Sequence, residues 1–426
     1  MGQCCFTGFE SERSKREVRM MSRVGLHITG FRPKHQIGVG GFAFGESEKK
    51  YLMEVIQSNR LSYGPYTQRF EALFAQEHQC KYGIFCNSGT SALHISLAAL
   101  KERYGWEDGD EVIVPAVTFI ATSNVIIHNN LKPVFVDVDK ETYNINPDLI
   151  EKRITKRTRA IIPVHLFGLP AEMEPIMEIA AHYNLRIVED SCETMFANYK
   201  GRSVGSFGDI GCFSTYIAHF LVTGVGGICT TNDSKLAVML KSLMNHGRDS
   251  IYIAMDDDRK AGYELFKIVE RRFRFIRIGY SFRATELEAA IGLGQLEHKD
   301  DIVAKRRANA EYLTNGLRDL EEFLQLPKVP EDRDHNFMMY PIVMKQGNKR
   351  DLIFFLEENL IETRDMMPLL NQPIYVKLFG NIENEYPVAK WINENGFYIG
   401  CHQYLGKEEL DYVIDKFHEF YEKHGQ

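Results

Sequence analysis

No run of apolar residues in this 426-residue chain approaches the roughly 20 needed to cross a bilayer, and positions 1–34 lack the apolar stretch of a secretory leader. A membrane protein or an exported one is therefore not expected. Charge of one sign is also scarce: 51 Lys and Arg against 58 Asp and Glu leave a net charge of −7, which offers nucleic acid no basic footprint. The eight cysteines (Cys4, Cys5, Cys80, Cys86, Cys192, Cys212, Cys229 and Cys401) include no C-x-x-C pair and no His/Cys cluster at metal-ligand spacing. The expectation is reduced, mostly buried thiols in the cytoplasm, with no metal. The opening Met-Gly-Gln-Cys-Cys has Phe6 where a myristoylation signal needs Ser or Thr, and Thr7 falls one place late. Arg13, Lys15, Arg16, Arg19 and Arg23 read as a solvated, disordered tail over 1–34, with Met20 or Met21 as an alternative start.

What is present is an ordinary globular composition, 44% hydrophobic and 26% charged, in a chain longer than one hydrophobic core usually supports. Two domains are expected. From His35 onward, helical and strand-like segments alternate. Amphipathic helices are predicted over 46–57 and 67–77, around the turn Ser62-Tyr63-Gly64-Pro65-Tyr66. Apolar strands are predicted over 82–86, 111–115, 133–137, 160–164 and 185–190, separated by helical stretches. Such alternation predicts an α/β domain with a mainly parallel, covered sheet and sites at the strand C-termini. Further on, helices over 284–297 and 301–317 and a strand over 338–344 suit a smaller α+β domain. The boundaries read as a large domain over 35–262 and a small one over 263–426.

Four local constellations carry chemistry. Asn87-Ser88-Gly89-Thr90-Ser91-Ala92-Leu93 follows a strand and opens a helix, so it fits either a capped helix start or an anion site built from first-turn amides and hydroxyls. Phe119, in Pro115-Ala116-Val117-Thr118-Phe119, stands at another strand end, where it is either core or a flat surface for a ring. Asp190, in Glu189-Asp190-Ser191-Cys192-Glu193, is either an N-cap or a carboxylate able to hold a ring nitrogen protonated. Lastly, Ser214-Thr215-Tyr216-Ile217-Ala218-His219-Phe220 leads into the turn Gly224-Val225-Gly226-Gly227, placing a hydroxyl and an imidazole close together.

Together with Gly205-Ser206-Phe207-Gly208-Asp209, Cys212-Phe213-Ser214, His246-Gly247 and Gly279-Tyr280-Ser281-Phe282-Arg283, these motifs resemble, in order and spacing, the DegT/DnrJ/EryC1/StrS family of sugar-nucleotide aminotransferases. The resemblance runs from about Ile37 to the C-terminus. It implies the aspartate-aminotransferase fold (fold type I), with a mainly parallel seven-stranded sheet in the large domain. It also implies pyridoxal 5'-phosphate or pyridoxamine 5'-phosphate as cofactor, a nucleotide-sugar substrate, glutamate as amino donor, and a homodimer with shared active sites. Gly89, Thr90, Ser91 and Ser214 would hold the cofactor phosphate, Phe119 would stack on the ring, and Asp190 would pair with its nitrogen. The loop Gly279–Arg283 would reach the neighbour's site, where Ser281 stands in place of the family's asparagine, and Arg283 is a candidate substrate contact.

His219, five residues after Ser214, occupies the position of the family's Schiff-base lysine. A lysine amine bonds covalently to the cofactor aldehyde and also shuttles protons, whereas an imidazole only moves protons. That replacement resembles a small subgroup, the sugar-nucleotide 3-dehydratases, as do the pair Ala218-His219 and the acidic Glu193 three residues after Asp190. The subgroup's Gly-Glu-Gly-Gly is Gly224-Val225-Gly226-Gly227 here, and its second histidine is Phe220. One branch of the subgroup uses an iron–sulfur cluster, but no cysteine lies between Cys229 and Cys401. The resemblance thus implies a cluster-free 3-dehydratase acting on a 4-keto-6-deoxy sugar nucleotide in surface polysaccharide or deoxysugar biosynthesis, with His219 as base. A glutamate-dependent aminotransferase and a noncatalytic cofactor-binding member are the alternatives.

Overall fold

The computed structural model describes residues 31–249 and 260–424. In chain order the first part runs α1 (Glu46–Ser58), α2 (Pro65–Glu77), β1 (Tyr82–Cys86), α3 (Gly89–Tyr104), β2 (Glu111–Pro115), α4 (Ile120–His128), β3 (Lys132–Val136), β4 (Thr158–Ile161), α5 (Met173–Tyr183), β5 (Arg186–Asp190), the hairpin β6 (Asn198–Tyr199) and β7 (Arg202–Ser203), β8 (Ile210–Ser214), β9 (Gly227–Thr231) and α6 (Ser234–Met244). The seven-stranded sheet has the order β1-β9-β8-β5-β4-β2-β3. Only β9 runs against the others, since it pairs antiparallel with both β1 and β8 while the remaining pairs are parallel. Every residue of β2, β8 and β9 is buried, as expected where helices cover both faces. The expected mainly parallel seven-stranded sheet is present.

Local chemistry fixes the elements that frame the site. Ser88 caps α3 by accepting from the Ser91 amide at 3.0 Å, and the helix ends where Gly105 takes up φ 64°, the left-handed conformation that glycine adopts most readily. A buried carboxylate, Glu286, secures the other side of β1 by accepting from the amides of Gly64, Tyr66 and Thr67, each at 2.9 Å, at the start of α2. Aromatic rings of Phe70, Phe74, Phe85 and Phe213 meet edge to face beneath that helix at 5.0–5.9 Å.

The second part comprises α7 (Gly262–Arg271), α8 (Glu286–Glu297), α9 (Lys299–Leu317), β10 (Leu324–Gln325), β11 (Tyr340–Met344), α10 (Lys349–Glu358), β12 (Thr363–Asp365), α11 (Pro373–Phe379), α12 (Pro387–Asn395), β13 (Gly396–Ile399) and α13 (Lys407–His424). Its antiparallel sheet, β10-β11-β13-β12, packs with Ala310, Leu313, Leu352, Leu356 and Phe417 into a second core. Asp137, just beyond β3, accepts from the Val388 and Ala389 amides at 2.9 Å and so caps α12 across the junction.

Two expectations need adjustment. Strands β8 and β9 were not predicted as strands, because their short sequences, IGCFS and GICTT, are rich in small residues and carry no alternation. Helix α8 buries Ala289, Ala290, Leu293 and Leu296 in the core of the large sheet, as does Ile302 of α9, whereas Ala310, Leu313 and Leu317 of α9 belong to the second core. We propose on this packing that the change of core falls within α9, beyond the boundary expected at 262/263. The expected tail lies largely outside the described residues; Phe31 is described and packs edge-on against Tyr412 at 5.9 Å.

Candidate active site

The carboxyl ends of β1, β2, β5 and β8 converge at one edge of the sheet, the place where parallel α/β sheets bind ligands. Strand alternation separates the two acids that end β5. Glu189 turns to one face, where it accepts from the Gly205 and Gly208 amides at 2.7 Å and from His165 Nε2 at 3.1 Å. All of its contacts are structural. Asp190 turns to the other face, buried, accepting from Thr122 Oγ1 at 2.7 Å and from the Cys192 amide at 3.1 Å. Burial raises its pKa above the ordinary carboxylate value, with those hydrogen bonds opposing the shift. Among the described residues no cation pairs with it. A buried carboxylate of this kind suits a protonated ring nitrogen.

Asp190 is tied to the Phe119 loop through hydroxyls, Thr122 Oγ1 lying 2.8 Å from Thr118 Oγ1. Phe119 itself, at the N-terminus of α4, is 58% exposed, so its ring is not core. Glu193 is buried, accepts from the Phe167 amide at 3.1 Å, and is pushed up to about 7, first by burial and also by the neighbouring Asp190 charge.

At the end of β1 the turn into α3 comes close to the end of β8. A Cβ on Gly89 would lie 2.7 Å from Ser214 Cβ and 2.8 Å from Cys192 Sγ, so only glycine leaves room there. Ser91 Oγ is 2.9 Å from Ser88 Oγ, Ser214 is buried, and Thr90 is exposed on the first turn. The amides of Gly89 and Thr90 take no partner within the helix. First-turn amides, hydroxyls and a glycine-built cradle fit a phosphate group, with Ser88 serving as cap at the same time.

The segment after β8 is a tight turn. Thr215 N donates to Gly226 O at 3.0 Å, Thr223 N donates to Thr215 O at 2.9 Å, and the Thr215 and Thr223 hydroxyls meet at 2.6 Å. Gly40 of the N-terminal strap passes over it, a Cβ there lying 2.9 Å from Ala218 Cα. His219 is partly buried, and its Nδ1 is enclosed with no hydrogen-bond partner. Burial holds the imidazole down at about 4, opposed by a hydrogen bond with the Tyr216 backbone and helped to a smaller extent by the Arg306 charge, so the ring is neutral at physiological pH. The turn itself carries no lysine. Lys200 pairs with Glu174 at the surface, Lys235 lies at the exposed start of α6, and Lys241 is held by Tyr63 and Glu71 at 3.0 and 3.1 Å.

The structure thus brings Gly89, Thr90, Ser91 and Ser214 to one cradle and links Phe119 with Asp190, beside Glu193. Ser281 and Arg283 are exposed and bond to each other at 3.2 Å, with Arg283 also 3.3 Å from His246. Their loop is anchored at the end of β1, where Asn87 N donates to Phe282 O at 2.8 Å. Two contributors were missed. Thr122 was visible in the i,i+4 spacing from Thr118, whereas Arg306, which donates to the His219 carbonyl at 3.4 Å, lies 87 residues away and gave no signal.

A model of the DegT/DnrJ/EryC1/StrS aminotransferase family matches residues 43–418. The chain is 34% identical to the lipopolysaccharide biosynthesis protein RfbH of Salmonella typhimurium, over 89% of this chain and 91% of that protein. It is likewise 34% identical to GDP-perosamine synthase of Escherichia coli O157:H7, over 88% and 95%. The solved E. coli GDP-4-keto-6-deoxy-D-mannose-3-dehydratase with bound hydrated PLP superposes with a TM-score of 0.80 at 27% identity, covering 90% of this chain and 99% of that one. The chain belongs to the DegT/DnrJ/EryC1/StrS aminotransferase family and is a pyridoxal-phosphate-dependent enzyme.

Proposed function

We propose that this enzyme is a cluster-free 3-dehydratase of a nucleotide-activated 4-keto-6-deoxy sugar, with His219 as its base. The observation that carries the reading is the imidazole on the turn after β8, enclosed, neutral, and in the place where the family's lysine would stand. The similarity to a GDP-4-keto-6-deoxy-D-mannose-3-dehydratase supports the same reading.

When bound, the cofactor supplies a primary amine for the 4-keto carbon and an electron-accepting ring that lets the C3 hydroxyl leave. The residues of this chain do the rest. Gly89, Thr90, Ser91 and Ser214 hold the phosphate, Phe119 offers its exposed ring as a stacking surface, and Asp190 keeps the ring nitrogen protonated. Glu193 sits near its titration point at neutral pH and lies close enough to Asp190 to feel its charge. His219, neutral at rest and held at about 4 by burial, would take a proton on one imidazole nitrogen and give it back readily, as a weak base does. Without a lysine at this position, Gly89, Thr90, Ser91, Ser214 and Asp190 would hold the cofactor without a covalent bond, and glutamate would serve as amino donor.

The enzyme works as a homodimer. Phe273 and Ile278 are 82% and 92% exposed, alongside Tyr263, Phe266 and Phe275, on the segment leading to Gly279–Arg283. So many exposed apolar side chains within one short segment fit burial against a second copy. The alternative reading, a glutamate-dependent aminotransferase, is favoured by the similarity to GDP-perosamine synthase. Incubating the protein with 4-keto-6-deoxy sugar nucleotides, glutamate and cofactor, then weighing the products, decides between them. Loss of one oxygen supports dehydration; replacement of the keto oxygen by an amine with every hydroxyl retained refutes it.

A further inference from the structure

We infer that Arg306 is the positioning residue of the catalytic turn: its guanidinium clamps the His219 carbonyl to the backbone leading into β11 and sets a fixed positive charge against the turn that carries the imidazole. The inference rests on the assignment of His219 as base. Arg306, in α9, is fully buried. Its Nη1 donates to Met338 O at 2.8 Å and Phe337 O at 3.3 Å, and its Nη2 donates to His219 O at 3.4 Å. Its guanidinium carbon stands 4.9 Å from the centre of the Phe220 ring. Three carbonyls, two from the lead into β11 and one from the turn after β8, are therefore joined by a single planar cation. Only a forked side chain reaches all three; a lysine ammonium is a point donor.

Among the described residues Arg306 makes no ion pair, and its Nε is buried without a partner. A buried cation without a counter-charge is costly, and an apolar side chain of similar volume would usually be more stable in its place. Position and charge give a reason for the arginine. The groups that share its surroundings are His219 on the turn, and Cys401, His402 and Tyr404 on the loop after β13. None is a carboxylate, so nothing on these elements neutralises the charge. The same cation depresses His402 as well as His219. An imidazole that must start each turnover unprotonated gains from such a neighbour, and a base whose carbonyl is pinned keeps its ring aimed.

The test is a histidine-selective 13C NMR titration of the resting protein, with the His219 resonance assigned by its loss in His219→Asn. In the wild type the His219 midpoint lies well below 6. In Arg306→Met it rises, because a charge that opposes protonation of the ring is lost. In Arg306→Lys, which keeps the charge and loses the fork, the midpoint stays within about 0.3 units of wild type. Turnover in that variant falls at least about tenfold, with the sugar-nucleotide KM changed less than about threefold. An unmoved His219 midpoint in Arg306→Met, or undiminished turnover in Arg306→Lys, overturns the inference. If Arg306→Met does not fold, Arg306→Lys and Arg306→Gln give the same comparison of charge kept against charge lost. The titration needs no turnover. A protein that proves to be an aminotransferase would refute the dehydratase reading and leave the effect of Arg306 on His219 separately measurable.

Discussion

Replacing Asp190 by Asn should separate cofactor affinity from the stability of the apoprotein. The Asp190 carboxylate accepts from Thr122 Oγ1 at 2.7 Å and the Cys192 amide at 3.1 Å, with its charge penalised by burial. In the apoprotein, asparagine keeps one oxygen for the Cys192 amide, and its NH2 can donate to the Thr122 hydroxyl, which rotates to accept. The weakened hydrogen bonding costs about 1 kcal/mol and is offset by removing a buried charge, so the net change stays within about 1.5 kcal/mol. With cofactor bound the balance differs. The charge-assisted hydrogen bond to a protonated ring nitrogen contributes roughly 1.5–3 kcal/mol, equivalent to about 10- to 150-fold in Kd. Urea denaturation of apoprotein and fluorescence titration with pyridoxamine phosphate measure the two quantities. An Asp190→Asn protein that binds the cofactor within about threefold of wild type would refute the assignment of Asp190 to the ring nitrogen.

Much of the fold was legible because the parallel strands are mostly buried and carry Val, Ile and Phe between turn residues, and their ends lie close to the motifs. Asp190 could be singled out because it closes such a strand, and Phe119 because it follows the end of β2 by four residues. The sequence did not reveal that Glu189 and Asp190 have opposite duties, since that follows from which face each side chain takes and what meets it there: Gly205, Gly208 and His165 for one, Thr122 and Cys192 for the other. Strands β8 and β9 escaped notice because glycine, cysteine and threonine carry little periodic signal. The placement of α8 against α1 and α2 was hidden for a different reason: helix-on-helix packing over more than 200 residues of sequence leaves no local trace. Arg306 was illegible on the same ground.

His219→Asn should keep the fold and the cofactor, because the enclosed Nδ1 has no partner to lose, while turnover falls at least about 100-fold; thermal melts and product assays check both. Glu193→Gln should flatten the pH dependence of stability. The folded Glu193 is raised from 4.5 to about 7, so its contribution is present below about 4.5 and lost as pH rises through about 7, on the order of 3 kcal/mol across that window. Denaturation midpoints at pH 5 and 7.5 for wild type and variant test the sign; equal slopes would contradict it. Phe273→Asp with Ile278→Asp should convert a dimer to monomers in sedimentation velocity, and an unaltered sedimentation coefficient would remove that segment from the interface.

The account stands on an imidazole occupying the place of a covalent anchor. Treating the cofactor-loaded protein with borohydride and weighing its peptides tests this directly. The expected result is no pyridoxyl group on any lysine of the wild type, with one appearing at position 219 in His219→Lys. A wild-type lysine bearing the reduced adduct would contradict the account and restore ordinary amino transfer.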